Sequence, residues 1–223
     1  MTTIEARLEQ VRTRMAGAVQ RAGRDPGSVT LVAVSKGRPV SAILEAYNAG
    51  QRDFGENRGP ELVRKVPDLP ADIRWHFIGS LQRRKVRLVR PVTMLLHSLD
   101  RESLIAEWSK GDGVAPPALM QVNISGEQQK HGLAPGEVAM HLDTAQRAGV
   151  VVVGLMTMPP QADDPEDSRP YFSDLRRLRD TVATTATPLS ELSMGMTDDF
   201  EVGIEEGATL IRVGRAIFGP VES

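Results

Sequence analysis

The sequence predicts an α/β protein, a single closed (β/α)8 barrel of the TIM type with one extra helix ahead of it. Three observations lead there. Eight short apolar runs between Thr30 and Val213 alternate with stretches of helical periodicity. The run Val150-Val-Val-Val-Gly-Leu-Met156 is apolar at every position, as in a parallel strand covered on both faces. Polar residues recur where the runs end, and the C-terminal ends of its strands are where such a barrel gathers its functional groups. An open doubly wound sheet normally stops at about five or six strands, so eight strand–helix units point to closure. No composition break or short repeat divides the chain, and a single domain over residues 1–223 is expected.

Taken in order, Ile4, Leu8, Val11, Met15 and Val19 recur at spacings of three and four, an amphipathic helix over residues 3–22 that stops near Gly23. The first strand covers Thr30–Ser35, and period two places Val32, Val34 and Lys36 on one face, with Lys36 as its last inward position. Pro39 opens and Gly50 closes a helix over Val40–Ala49. Arg52–Gly55 is a short second strand, followed by Glu56 and Asn57, and a helix over Pro60–Lys65 leads to the third strand, Ile73–Gly79. A basic helix, Leu81–Val89, precedes strand four, Thr93–Leu99; a helix over Arg101–Lys110 precedes strand five, Ala118–Ile124. The helix Pro135–Ala148 leads through Gly149 to strand six, Val150–Met156. Pro159–Ser168 is proline-rich and acidic, too polar to pack, and is a candidate flexible lid. A helix over Arg169–Thr184, strand seven (Leu189–Met194), a short helix (Asp198–Glu206), strand eight (Thr209–Val213) and the start of a last helix (Arg215–Phe218) complete the alternation.

Composition narrows the partner. A net charge of −2 leaves no electrostatic footprint for nucleic acid or an anionic membrane, so a small molecule is expected. The basic cluster Arg83-Arg-Lys85 with Arg87 reads as a solvated helix face. The chain has no cysteine, which removes disulfides, thiolate metal sites and cysteine nucleophiles and fits a reducing cytoplasm. Its N-terminus is charged from the start, unlike a secretory signal, and no stretch is long and apolar enough to span a bilayer. Asn123-Ile-Ser125 matches a glycosylation acceptor by composition only.

The chemistry centres on Lys36. A strand-end lysine can let its stem lie on apolar surface while its ammonium reaches solvent, and the immediate sequence favours that reading. A lysine held on a buried face has a lowered pKa and becomes an amine nucleophile toward carbonyls. The rest of the chain argues for the second reading. Ser193-Met-Gly-Met-Thr197 and Val213-Gly-Arg215 are glycine turns that run into helices after strands seven and eight. There, bare backbone N–H groups, hydroxyls and helix N-termini commonly hold a phosphate in barrels. Arg212 alternates with Ile211 and Val213 and so points inward, either to a core carboxylate or to an aromatic nitrogen of a ligand. An amine, a phosphate cradle and an inward arginine together fit an aldehyde that carries a phosphate, pyridoxal 5′-phosphate. Arginine stays protonated, so it would donate to the pyridine nitrogen and weaken the ring as an electron sink.

The motifs Val32-Ala-Val-Ser-Lys36, Phe54-Gly-Glu-Asn57, Trp75-His-Phe-Ile-Gly79 with Leu81-Gln82, Gln121-Val-Asn-Ile124, Gly154-Leu-Met156, Ser193-Met-Gly-Met196 with Asp198-Asp199, and Ile211-Arg-Val-Gly214 with Ala216-Ile-Phe-Gly219 resemble the pyridoxal phosphate homeostasis (YggS-like) family. The resemblance implies the alanine racemase N-terminal barrel, called fold type III among pyridoxal-phosphate proteins, and a cytoplasmic, usually monomeric protein. It implies cofactor held as a Schiff base on Lys36, a role in vitamin B6 and amino-acid homeostasis, and no established turnover. Pyridoxal-phosphate-dependent apo-enzymes are candidate partners. Cofactor contacts are expected at Lys36, Asn57, His76, Ser193, Gly195, Arg212, Gly214 and Arg215, with no catalytic residue and no metal ligand assigned. His76 also reads as a hydrogen-bonded core residue, and Met194 and Met196 as packing around their turn. Gly37, Arg58, Arg84, Thr197 and Arg215 depart from the usual Thr, Tyr, Asn, Ser and Thr. Arginine at 215 would bind the phosphate by charge, or turn outward and leave the backbone amides to do it. An amino-acid racemase is the alternative reading, although such enzymes draw a tyrosine from a further β-domain and this sequence ends with the barrel. A Schiff-base aldolase without cofactor is a third.

Overall fold

In the computed structural model, which describes residues 2–220, eight short strands pair in parallel with their sequence neighbours, and the last returns to the first. The strands are β1 (Thr30–Val34), β2 (Asp53–Glu56), β3 (Arg74–Phe77), β4 (Leu95–Leu99), β5 (Ala118–Gln121), β6 (Val152–Met156), β7 (Glu191–Ser193) and β8 (Leu210–Val213). Closure sets Thr30 opposite Leu210 and Val32 opposite Arg212. The helices are α1 (Ile4–Arg21), α2 (Val40–Asn48), α3 (Gly59–Lys65), α4 (Val86–Val89), α5 (Glu102–Trp108), α6 (Val138–Arg147), α7 (Arg169–Val182), α8 (Phe200–Glu205) and α9 (Arg215–Phe218). Among the described residues no helix is long and apolar enough to cross a membrane. The ends of the expected domain, residue 1 and residues 221–223, lie outside the described residues.

Alternation along the strands divides the apolar side chains between two layers. Leu31, Ala33, Phe54, Trp75, Phe77 and Leu96 join the main core with buried residues of the helices, among them Leu8, Ile43, Leu62 and Phe172. Val32, Leu95, Leu119, Met156 and Leu210, from five strands, form a separate small cluster inside the barrel. That cluster fills only part of the interior, and polar side chains occupy the rest.

Several expected boundaries move. β1 ends at Val34, so Lys36 lies beyond the strand in a turn and its side chain is exposed; the expected buried inward position is not what the chain adopts. The cause is local: Gly37 has φ +70°, a left-handed geometry that turns the chain away from the sheet. A β-branched threonine at 37 would be strained in that geometry. The basic segment expected as one helix is a 3-10 turn (Arg83–Lys85), the four-residue α4 and a second 3-10 turn (Arg90–Val92). Gln82 before it is extended, and Pro91 lacks the N–H that a continuing α-helix needs. The 159–168 stretch is not wholly unpacked: Asp164 caps a 3-10 turn over Pro165–Ser168, and buried Ser168 donates to Asp199 Oδ2 at 2.9 Å.

Candidate functional site

Although the Lys36 side chain is exposed, its backbone is held on both sides by a buried ionic cluster. Lys65, on α3, donates to Ser35 O at 2.9 Å, to Glu56 Oε1 at 2.6 Å and to Glu61 Oε1 at 2.7 Å. The Ser35 hydroxyl donates to Glu56 Oε1 at 2.7 Å, and the Gly37 N–H donates to Glu61 Oε1 at 2.6 Å. Lys65 is 7% exposed and Glu56 fully buried, so neither charge could be held there without the other. Burial raises the Glu56 carboxyl above its ordinary pKa, against the opposing pull of Lys65 and Ser35. Glu61 moves the other way: burial works to raise it, but Lys65 and the Gly37 N–H outweigh that and leave it lowered. The residues before and after Lys36 are thus fixed while its side chain is exposed beyond the end of β1.

Arg212 points inward, as alternation requires, and is 4% exposed. It meets no carboxylate directly. Its Nη1 donates to Ser193 Oγ at 2.5 Å and its Nη2 to Thr157 O at 2.9 Å. Burial lowers its pKa to about 10, with Asp199 pulling weakly the other way, so it remains a cation at neutral pH.

From Ser193 a hydrogen-bonded chain crosses the barrel. Ser193 Oγ lies 2.8 Å from His97 Nδ1, His97 Nε2 lies 2.8 Å from His76 Nδ1, and His76 Nε2 lies 3.1 Å from Asp53 Oδ1. Asp53 also accepts both prongs of Arg74, at 2.8 and 2.5 Å. Burial works to raise the Asp53 pKa, but hydrogen bonds from His76 and Arg74 outweigh it and hold the carboxyl below its ordinary value. His97 is driven well below the ordinary histidine value by burial, then by the nearby His76 and Arg212, and so is neutral.

With one proton on each ring and Asp53 as an ionised acceptor, one assignment pairs every group: the Ser193 hydroxyl donates to His97 Nδ1, His97 Nε2–H donates to His76 Nδ1, and His76 Nε2–H donates to Asp53. Ser193 is fully buried, and its hydroxyl is engaged by Arg212 and His97. His76 is 1% exposed, and both of its ring nitrogens are engaged, by His97 and Asp53.

The glycine turns after β7 and β8 are brought next to β1 by barrel closure. Gly195 has φ +91°, and a Cβ there would lie 2.9 Å from Phe200 Cα; a Cβ on Gly214 would lie 3.3 Å from Val34 O. The backbone is therefore bare at both turns, and Gly214 sits against the strand that delivers Lys36. The helices that follow have only six and four residues, so their dipoles add little, and the Met196 N–H is already taken by Asp199 Oδ1 at 2.7 Å. Arg215 has turned outward: its side chain is 64% exposed and is paired with Asp198, itself 65% exposed. Met194 is buried in the core as expected. Asn57 is half-buried just past β2, and its Oδ1 is buried without a hydrogen-bond partner among the described residues. A lysine amine, an inward cation and two bare turns are a donor set that fits a phosphorylated aromatic aldehyde.

Closure thus sets Arg212 opposite Val32 and Gly214 against Val34, two residues before Lys36, with Gly195 O accepting the Arg212 backbone N–H, while His76 and Ser193 belong to the buried chain and Arg215 faces away. The residues that sequence reasoning missed are Asp53, His97, Glu56, Glu61 and Lys65. His97 carried a signal, since it shares the inward alternation with Leu95 in an otherwise apolar run. Lys65 carried none, because a lysine at a helix end is ordinarily solvated.

Comparison with known proteins agrees with the barrel fold. The family described as "Alanine racemase, N-terminal domain" matches residues 6–221. A pyridoxal phosphate homeostasis protein of Aquifex aeolicus is 42% identical over 219 residues, covering 96% of either chain. PipY of Synechococcus elongatus, solved without and with pyridoxal phosphate bound, is 33% identical over 97% of this chain and 100% of its own, with TM-scores of 0.84 and 0.80. Alanine racemase of Corynebacterium glutamicum, 15% identical over 96% of this chain and 62% of its own with a TM-score of 0.74, shares the fold. A 223-residue chain matched over nearly its whole length by that family, and at such identity by its homeostasis proteins, belongs to the alanine racemase N-terminal domain family and, within it, to the pyridoxal phosphate homeostasis proteins.

Proposed function

We propose that this chain, as one barrel domain over residues 1–223, holds pyridoxal 5′-phosphate as a Schiff base on Lys36, serving intracellular vitamin B6 and amino-acid homeostasis without catalytic turnover. The observation that supports the reading is the β1–β8 closure, which pairs Val32 with Arg212 and sets the bare Gly214 turn against Val34, two residues before Lys36. When bound, the group supplies an aldehyde for the lysine amine and an aromatic ring able to accept electrons. The chain's own residues act around it. The Glu56–Lys65–Glu61 cluster fixes the backbone on either side of Lys36, and Gly195 and Gly214 present bare backbone to a phosphate. Arg212, oriented by Ser193 and Thr157, keeps a donor rather than an acceptor toward the ring nitrogen. A permanent donor there leaves that nitrogen unprotonated, which suits retention and release better than demanding carbanion chemistry.

Purified protein is expected to show a visible absorbance band, and borohydride reduction to add one reduced cofactor by mass, both lost in Lys36→Ala. Protein that takes up no cofactor under any loading condition would overturn the reading. Formation of D-alanine from L-alanine at enzyme-like rates would overturn the absence of turnover.

A further inference from the structure

Beside the mouth, on the side away from Arg212, a cleft of about 340 Å3 opens between α3 and the segment that leaves β3. Asn57, Arg58, Arg64, Ser80, Gln82 and Lys85 line it, together with Glu61. Its size lies at the lower end of the range for small-molecule sites.

The charge on its walls is unbalanced. Among the described residues no carboxylate lies within ion-pair distance of Arg58, Arg64 or Lys85, whereas Arg83 and Lys110 both find Glu107. The one acid on the wall, Glu61, is committed to Lys65 and to the Gly37 N–H. Three cations therefore line one cavity beside a single acid, Glu61, which feels Arg58 but is bonded to Lys65 and the Gly37 N–H, and the excess of positive charge favours an anion. Asn57 adds a second demand. Its Oδ1 is buried with no donor, an arrangement that costs free energy unless a donor is supplied. Asn57 also lines the cleft. Glu61 also ties the place to the amine site, because the same carboxylate that lines the cleft accepts the N–H of the residue after Lys36.

We infer that this cleft is a second binding site, for a small organic anion that also carries an N–H or O–H donor, adjacent to but separate from the Arg212 side of the mouth. Two sources share that chemistry: a phosphate monoester with ring hydroxyls, and an amino acid with its carboxylate and ammonium. Arg58, which stands where the family pattern has an aromatic residue, contributes one of the three cations, so the site is more basic in this chain than that pattern implies.

The inference goes beyond the proposed function and is tested so that the two fail separately. Inorganic phosphate, pyridoxine 5′-phosphate and L-glutamate are titrated calorimetrically into protein first loaded with cofactor and reduced with borohydride, which leaves the Lys36 site filled. Pyridoxine 5′-phosphate has no aldehyde and cannot report through an amine. One equivalent of pyridoxine 5′-phosphate or of glutamate is expected to bind, and whichever binds identifies the source. Arg64→Gln and Lys85→Gln, which remove the charge and keep a polar end, should each weaken binding roughly tenfold. Binding of none of the probes, binding unchanged in both variants, or inorganic phosphate binding as tightly as the organic probes would overturn the inference. If the protein cannot be loaded, the cofactor reading falls, and the same titrations on unloaded protein still test the cleft through their dependence on Arg64 and Lys85.

Discussion

His97→Gln and His97→Phe separate the two things this residue does in the buried chain, bridging Ser193 to His76 and resisting protonation. In the unfolded chain a histidine titrates near pH ~6.5. In the folded protein burial, then the fields of His76 and Arg212, push the His97 value well below that. Below pH ~6.5 the unfolded state therefore binds a proton that the native state refuses, and native stability falls with falling pH. The contribution is lost at up to about 1.4 kcal/mol per pH unit, from the unfolded value down to the depressed folded one. Neither glutamine nor phenylalanine titrates, so both variants lose this slope. They differ at neutral pH. Phenylalanine leaves the proton of the buried Ser193 hydroxyl, which keeps only its bond from Arg212, and His76 Nδ1 without partners, at about 1–3 kcal/mol each, or roughly 2–6 kcal/mol together. Glutamine can still offer an acceptor and a donor and should lose less. Urea unfolding at about pH 7.5 and about pH 5.5 measures both terms as midpoints and extrapolated stabilities. If His97→Gln shows the same acid loss as the wild type, or His97→Phe is as stable as the wild type at the higher pH, the assigned chain is wrong.

Three further outcomes follow from the same geometry. Lys65→Met removes the one cation that, among the described residues, pairs with fully buried Glu56, and should destabilise by about 3–5 kcal/mol in chemical unfolding; Glu56→Gln made in addition should recover part of it. Gly195→Ala forces a side chain into a left-handed backbone with its Cβ 2.9 Å from Phe200 Cα, and should cost at least about 1–2 kcal/mol, read as a lowered thermal midpoint. Arg215→Thr breaks an ion pair whose two side chains are 64% and 65% exposed, and its unfolding midpoint should correspond to a change within about 0.5 kcal/mol.

Much of the barrel was legible because its signals are local. Apolar alternation located all eight strands to within a few residues, and the inward direction of Arg212 followed from Ile211 and Val213 on either side of it. The glycine turns after β7 and β8 were visible because left-handed or tightly approached backbone has few substitutes for glycine. What alternation mistook was the end of β1. It carried the strand two residues too far and buried Lys36, because the departure begins at a turn glycine whose positive φ no periodicity reports. The basic segment 81–89 misled in a similar way, since a helix-compatible composition was divided by an extended Gln82 and by Pro91.

The sequence by itself determined the number and order of the strands, the lysine, the inward arginine and the two bare turns, and its motifs identified the family. Only the tertiary structure decided what each polar group is for. Val34, two residues before Lys36, meets Gly214 because β8 pairs with β1, and Asp53, His76, His97, Ser193 and Arg212 become one hydrogen-bonded chain because five strands turn them toward a common interior. Partners so far apart in the chain leave no local pattern. A buried hydroxyl or imidazole acquires its role only from the donor or acceptor that the fold places within about 3 Å of it.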